Sequence, residues 1–115
     1  MAWTIGYSMM GYYAKGSGEP YAPLYLYMRA VKGSAPNTGL VPEYALTEAQ
    51  KYGVDTQSDY FQGTLNYSVK PTAAEVTNAS NYKITGWKTL WSGVAGQGTT
   101  GQLALERALA AGNPV

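Results

Sequence analysis

Along the opening of the chain, apolar and small residues run as far as Lys15 without a charged side chain: Ala2-Trp3-Thr4-Ile5-Gly6-Tyr7-Ser8-Met9-Met10-Gly11-Tyr12-Tyr13-Ala14. At helical spacing Trp3 pairs with Tyr7, Ile5 with Met9, and Met9 with Tyr12 and Tyr13, on more than one face. A helix that is apolar on every side belongs in a core. The pattern therefore predicts a central buried helix over residues 2–14, ending near Gly16. Gly6 and Gly11 lower its intrinsic propensity but let other backbone pack close. Trp3 is expected to sit between Tyr7 and a later helix over 42–52.

After a Gly/Pro loop at 15–20, residues 22–31 read as a second helix. Pro23 suits a first turn, where no backbone donor is needed. Leu24, Tyr27, Met28 and Val31 fall on one face, and Gly33 stops the run. The alternation Leu24-Tyr25-Leu26-Tyr27 also fits a strand; Pro23 and the stop signal favour the helix. Residues 34–40 form a loop rich in Gly, Pro and Asn. A third helix is predicted over 42–52, closed by Gly53. Ala45, Leu46, Ala49 and Tyr52 would face inward, and Glu43, Glu48 and Lys51 would face water.

The stretch 54–66 is irregular, anchored by Tyr60 and Phe61, and 72–79 is a short helix after Pro71. Residues 82–90 alternate and read as a strand. Residues 92–98 are a loop, and Thr100 caps a last helix through Ala111, with Leu105, Ala108 and Leu109 inward and Gly112 as its stop. Asn113-Pro114-Val115 reads as the first step of another strand. No repeat or linker divides the chain, so one domain over 1–115 is expected, mostly α with a small β component.

Composition narrows the chemistry. The 115 residues include no cysteine and no histidine. No disulfide framework, thiolate nucleophile or thiolate metal site follows from this sequence, and the commonest general base and metal ligand are missing. Charged residues make up 13% and the net charge is +1. With no basic run, nucleic acid is not expected as a partner. The first helix is too short for a bilayer and lacks the flanks of a signal peptide, so no membrane role is expected. Neither a cofactor nor a metal is implied.

Four features are candidate sites. Gly96-Gln97-Gly98-Thr99-Thr100-Gly101 matches a dinucleotide fingerprint before a helix, a motif that lets backbone approach a pyrophosphate. The long preceding loop, and the lack of the ribose-binding acid, favour a plain loop with a helix start. Asp55 and Asp59 form a possible carboxylate pair. Without calcium-loop spacing after them, turning and capping the loop is the better reading. Among Trp3, Trp87 and Trp91, the position of Trp91 beside a glycine-rich loop makes it the best candidate for an exposed aromatic. Asn66-Tyr67-Ser68 and Asn78-Ala79-Ser80 match the glycosylation sequon.

The order of these segments resembles papain-like cysteine peptidases of bacterial type. Ala2-Trp3-Thr4 opening a helix is similar to the segment after that family's active-site cysteine. Residues 20–30 resemble its second helix. Gly39-Leu40-Val41-Pro42-Glu43-Tyr44-Ala45-Leu46, followed by Ala49-Gln50-Lys51-Tyr52-Gly53-Val54, is similar to its glycine-rich substrate stretch and the helix after it. Ser58-Asp59-Tyr60-Phe61, Asn81-Tyr82-Lys83-Ile84-Thr85-Gly86-Trp87 and the closing Ala-Gly-Asn-Pro-Val complete a likeness that covers nearly the whole chain.

The resemblance implies the helical lobe of that fold and the start of its partner lobe. It places the nucleophile one residue before Met1, or at Ala2, and the family's histidine and asparagine beyond Val115. Thiol-peptidase chemistry needs that activated thiolate, so the implied chain is an inactive fragment or degenerate relative. By carry-over, Met1, Gly39, Leu40, Val41 and Pro42 would line a peptide groove. Leu40 stands where the family favours a second glycine. The alternative is a structural or interaction subunit that reuses the half-fold. In either case the uncovered face of the first helix and the strand begun at 113–115 predict self-association or a place in a larger protein assembly.

Overall fold

The computed structural model describes Ala2 and residues 4–13, 20–31, 39–60, 70–93 and 98–115. These are mostly helical. A π-helical segment, Thr4–Met9, runs directly into α1, Met10–Tyr13; then come α2 (Pro23–Ala30), α3 (Pro42–Lys51), α4 (Ala73–Ala79) and α5 (Thr99–Ala110). Trp3, expected between Tyr7 and the helix over 42–52, and Phe61, expected as an anchor, lie outside the described residues.

The first helix is one-sided rather than apolar all round. Ile5, Gly6 and Met10 are buried, whereas Thr4, Tyr7, Ser8 and Gly11 are exposed. In an α-helix, residues five apart lie on nearly opposite faces. The i→i+5 winding of the π segment brings Ile5 and Met10 toward the same side. The inward side meets α2 closely. A Cβ on Gly6 would stand 3.0 Å from the Pro23 Cα and 3.3 Å from the Leu26 Cδ2. Glycine is favoured there by close contact, not by backbone angle.

Pro23 opens α2 as predicted, but the buried face is broader and turned from the one expected. Pro23, Tyr25, Leu26 and Ala30 are buried, while Leu24, Tyr27, Met28 and Val31 are half-buried. The cause is tertiary: α2 is flanked by the N-terminal helix on one side and α3 on another. Tyr25, in addition, sets its ring edge-on to Tyr60 at a centroid distance of 5.4 Å.

Helix α3 also opens on proline, with Glu43 in its first turn and Lys51 in its last, both favourable to the helix dipole. Ala45 and Ala49 are buried and Leu46 and Tyr52 half-buried. Glu48, expected in water, is only 5% exposed. Its carboxylate takes a bond from Arg29 of α2 at 3.3 Å, which is what permits a charge there. The helix ends as the Tyr52 and Gly53 amides both donate to the Glu48 carbonyl, and Gly53 turns the chain with φ +89°.

Helix α4 is closed at its start by a reciprocal cap between Thr72 and Glu75. The Glu75 carboxylate accepts from the Thr72 amide at 2.6 Å, and the Thr72 hydroxyl accepts from the Glu75 amide. Helix α5 begins at Thr99, one residue before the predicted cap, after Gly98, and stops at Gly112. Of its expected inward residues, Leu105 and Ala108 are half-buried and Leu109 is 53% exposed. Among the described helices α5 packs against none, and its buried residue is Gly101.

Neither predicted strand forms. Among the described residues the β pairing is an isolated antiparallel bridge between Tyr21 and Thr56. Among the described residues the alternating run 82–90 has no ladder partner; its carbonyls at Tyr82 and Thr85 accept from the Val54 amide and the Gln50 side chain. Without a second strand, alternation alone does not make a sheet. Residues 113–115 likewise form no strand, the Asn113 amide being folded back onto the Ala108 carbonyl.

The core gathers Ile5, Met10, Tyr21, Ala22, Tyr25, Leu26, Ala45, Ala49, Val54, Tyr60 and Ala79, with Leu40, Leu46, Tyr82 and Ile84 packed on its edge. Gly53 sits where this core meets the end of α4: a Cβ there would lie 1.8 Å from the Ala79 carbonyl oxygen. Gly112 has a similar backbone, φ +77°, but open space around it. The two glycines therefore separate backbone strain from overlap. We expect Gly112→Ala to lower stability by about 1 kcal/mol, the cost of the left-handed conformation alone. Gly53→Ala adds overlap with fixed backbone and should cost about 3 kcal/mol or more. Urea unfolding midpoints of the two variants check this; equal losses would refute the close approach.

Candidate functional site

Two regions of the described structure carry chemistry. The first is the approach to α3. Met1 lies outside the described residues. Gly39, Leu40, Val41 and Pro42 form one continuous segment leading into the helix, with Val41 extended at φ −76° and ψ 124°. Gly39, Val41 and Pro42 are exposed, whereas Leu40 is half-buried and anchors the segment on the core. The Val41 carbonyl is taken by the Tyr44 and Ala45 amides of the first turn. Gly39 and Leu40 make no main-chain hydrogen bond to another described residue. Tyr44, at 63% exposure, stands one turn further on. The arrangement is a short main-chain edge flanked by exposed Val41 and Tyr44.

The second region is the stretch 53–60, expected to be an irregular loop anchored by Tyr60 and turned and capped by Asp55 and Asp59. It binds two separate parts of the chain. On one side the Ala22 amide donates to the Asp55 carbonyl at 2.8 Å, the Gln57 amide to the Pro20 carbonyl at 2.8 Å, and the Gln57 side chain to the Tyr21 carbonyl at 3.0 Å. On the other, the Val54 amide donates to the Tyr82 carbonyl at 3.1 Å. The Asp55 side chain completes the link: its Oδ1 accepts from the Thr56 amide at 2.9 Å and from Asn78 Nδ2 of α4 at 2.6 Å. Asp55 does cap its own loop, as expected, but it also reaches a helix twenty-three positions away. Asp59, the other half of the expected pair, is exposed.

Burial pushes the Asp55 carboxyl up to about 6 against the bonds from Asn78 and Thr56, and the neighbouring Asp59 carboxyl raises it further. Burial likewise raises the Tyr25 and Tyr60 hydroxyls to about 12; Arg29 opposes it at Tyr25, while the surrounding carboxylates add to it at both. Asp55 Oδ2, the Tyr25 hydroxyl and Arg29 Nε are buried without a hydrogen-bond partner.

The remaining sequence candidates come to less. Gly96 and Gln97 of the fingerprint lie outside the described residues, and Gly98 precedes an ordinary helix start. Trp91 is 41% exposed, and Trp87 is also at the surface. Asn66 lies outside the described residues, and Asn78 is engaged with Asp55. Among the described residues no group of three or more acidic side chains could hold a metal ion, and no helix is long and apolar enough to cross a membrane. No protein-family model, curated protein or solved structure matches this chain.

The charge pair between α2 and α3 was missed because sequence spacing gives no sign of it. Arg29 also lays its guanidinium 4.4 Å from the centre of the Tyr52 ring. Removing Arg29 would take from the buried Glu48 carboxylate the cation that offsets its charge. Arg29→Ala should therefore cost about 2 kcal/mol, and Arg29→Ala with Glu48→Gln less than the single change, because the buried position then carries no charge. A double-mutant cycle in urea measures the difference.

Proposed function

We propose that this chain is the helical lobe of a papain-like fold that carries no thiol-peptidase chemistry and contributes a surface for holding extended polypeptide. The observation that carries the reading is the approach to α3: a segment anchored by Leu40, with the main chain of Gly39 and Leu40 unpaired among the described residues and with Val41 and Tyr44 exposed beside it. Its place in the chain supports the family likeness. It follows two helices and leads into a third that ends in Tyr52-Gly53-Val54. The chemistry of the residues agrees with a holding role, since the sequence supplies neither thiol nor imidazole.

Backbone pairing supplies affinity and the flanking side chains supply preference. A fluorescently labelled, unfolded casein chain is a suitable probe. The purified protein should bind it without releasing fragments. Leu40→Pro, which removes one amide from the edge, should weaken binding about tenfold, the scale of one or two lost hydrogen bonds. Fragment release, or binding that ignores Leu40→Pro, would overturn the proposal.

A second reading is favoured by α5. It exposes Leu103 and Leu109 and packs against no other described helix. On this reading the chain is a structural subunit whose partner is a second copy or another protein. Sedimentation of the purified chain at micromolar concentration tests the second copy: a larger species supports that form of the second reading, and a monomer rules it out.

A further inference from the structure

We propose that Asp55 is an acid-strengthened latch: with its carboxyl protonated it holds the start of α2, the 53–57 stretch and the end of α4 together, and its ionisation loosens that junction.

The geometry sets up the two states. Asp55 is fully buried at the point where three parts of the chain cross. Its carbonyl holds the Ala22 amide, and its Oδ1 holds the Thr56 amide and Asn78. Two donors on one oxygen are kept by either charge state. The other oxygen, Oδ2, is buried with no donor. As a carboxylate it carries uncompensated charge out of water; as a carboxylic acid it carries none and offers a proton.

The surrounding groups give the anion no relief. Its own loop contributes Asp59, whose carboxyl disfavours a second charge, and Tyr60, a buried phenol. Helix α4 contributes the neutral Asn78, and also Glu75, whose carboxylate is committed to the Thr72 cap. Helix α2 contributes Tyr25, buried with its hydroxyl unpartnered, and Arg29, the nearest cation on that helix, is drawn off to Glu48 of α3. Among the described residues no lysine or arginine forms an ion pair with Asp55.

The direction follows from linkage. Burial pushes the folded carboxyl up to about 6, from an ordinary value of 3.8. Between these values the folded chain keeps a proton that the unfolded chain has lost. Stability therefore falls as pH rises through this window and levels off above it. That is opposite in sign to a salt-bridged aspartate. For this one group, the unfolding equilibrium constant should rise about tenfold between pH 5 and 7.

The test compares urea midpoints of wild type, Asp55→Asn and Asp59→Asn from pH 4 to 8. Asp55→Asn keeps an oxygen for Thr56 and Asn78 and cannot ionise. Relative to it, the wild type should lose about tenfold in folding equilibrium between pH 5 and 7. Asp59→Asn removes the neighbouring charge, so its window of loss should shift toward acid pH and shrink. Parallel curves for wild type and Asp55→Asn would overturn the latch. If Asp55→Asn does not fold, Asp59→Asn decides alone: a shifted window supports the proposal, and a curve superposable on wild type overturns it.

Discussion

The turn at Gly53 is the constraint on which the rest of the arrangement depends. At φ +89° it takes the chain out of α3 and past the Ala79 carbonyl, at a distance no side chain would allow. Only after that turn can Val54 reach the Tyr82 carbonyl and Asp55 reach Asn78 and Ala22. The stretch 53–57 thus does for this small core what a central strand does for a sheet. It satisfies its own backbone by bonding to neighbours on both sides. The bridge between Tyr21 and Thr56 is the one place where that pairing has β geometry among the described residues. Helices α2 and α3 and the N-terminal helix pack around this crossing, and α4 is tied to it through Ala79 and Asn78.

Polar groups are unusually central to so small a core. Asp55, Thr56 and Glu48 are buried among aliphatic and aromatic side chains. Each is explained by a specific partner: Asn78 for Asp55, Ser58 for Thr56, Arg29 for Glu48. Such groups contribute little net stability, because desolvation offsets most of the attraction, but they restrict which segments can meet. The tyrosines serve the same end. Tyr21 meets Tyr82 and Tyr25 meets Tyr60 edge-on, joining α2 and the segment before it to the crossing and to the stretch after α4.

How much of this was legible in the sequence depended on the range of the interaction. Features set by a residue and its near neighbours were readable: Pro23 and Pro42 opening helices, Gly53 and Gly112 closing them, and the mostly helical class. Features set by partners far along the chain were not. The inward face of α2 was misjudged because two helices flank it, and Glu48 was assigned to water because Arg29, nineteen positions earlier, gives no periodic signal. The run 82–90 has strand-like alternation, yet its carbonyls are claimed by Val54 and Gln50. For the candidate site, residues 39–42 were marked by resemblance and are found together and largely exposed. The Asp55–Asn78 link joins an irregular stretch to a helix, and no spacing rule points to it.

Native-state amide hydrogen exchange tests the central place of the 53–57 crossing most directly. The amides of Ala22, Val54 and Gln57 lie in segments without regular secondary structure of their own, or at its edge, yet each donates across the crossing. If the crossing holds the fold together, these three amides exchange only through global unfolding, more slowly than the amides of α5 despite the regular hydrogen bonding of that helix. If Val54 and Gln57 exchange as fast as the α5 amides while α2 and α3 remain protected, the helices pack without the crossing, and the account is wrong.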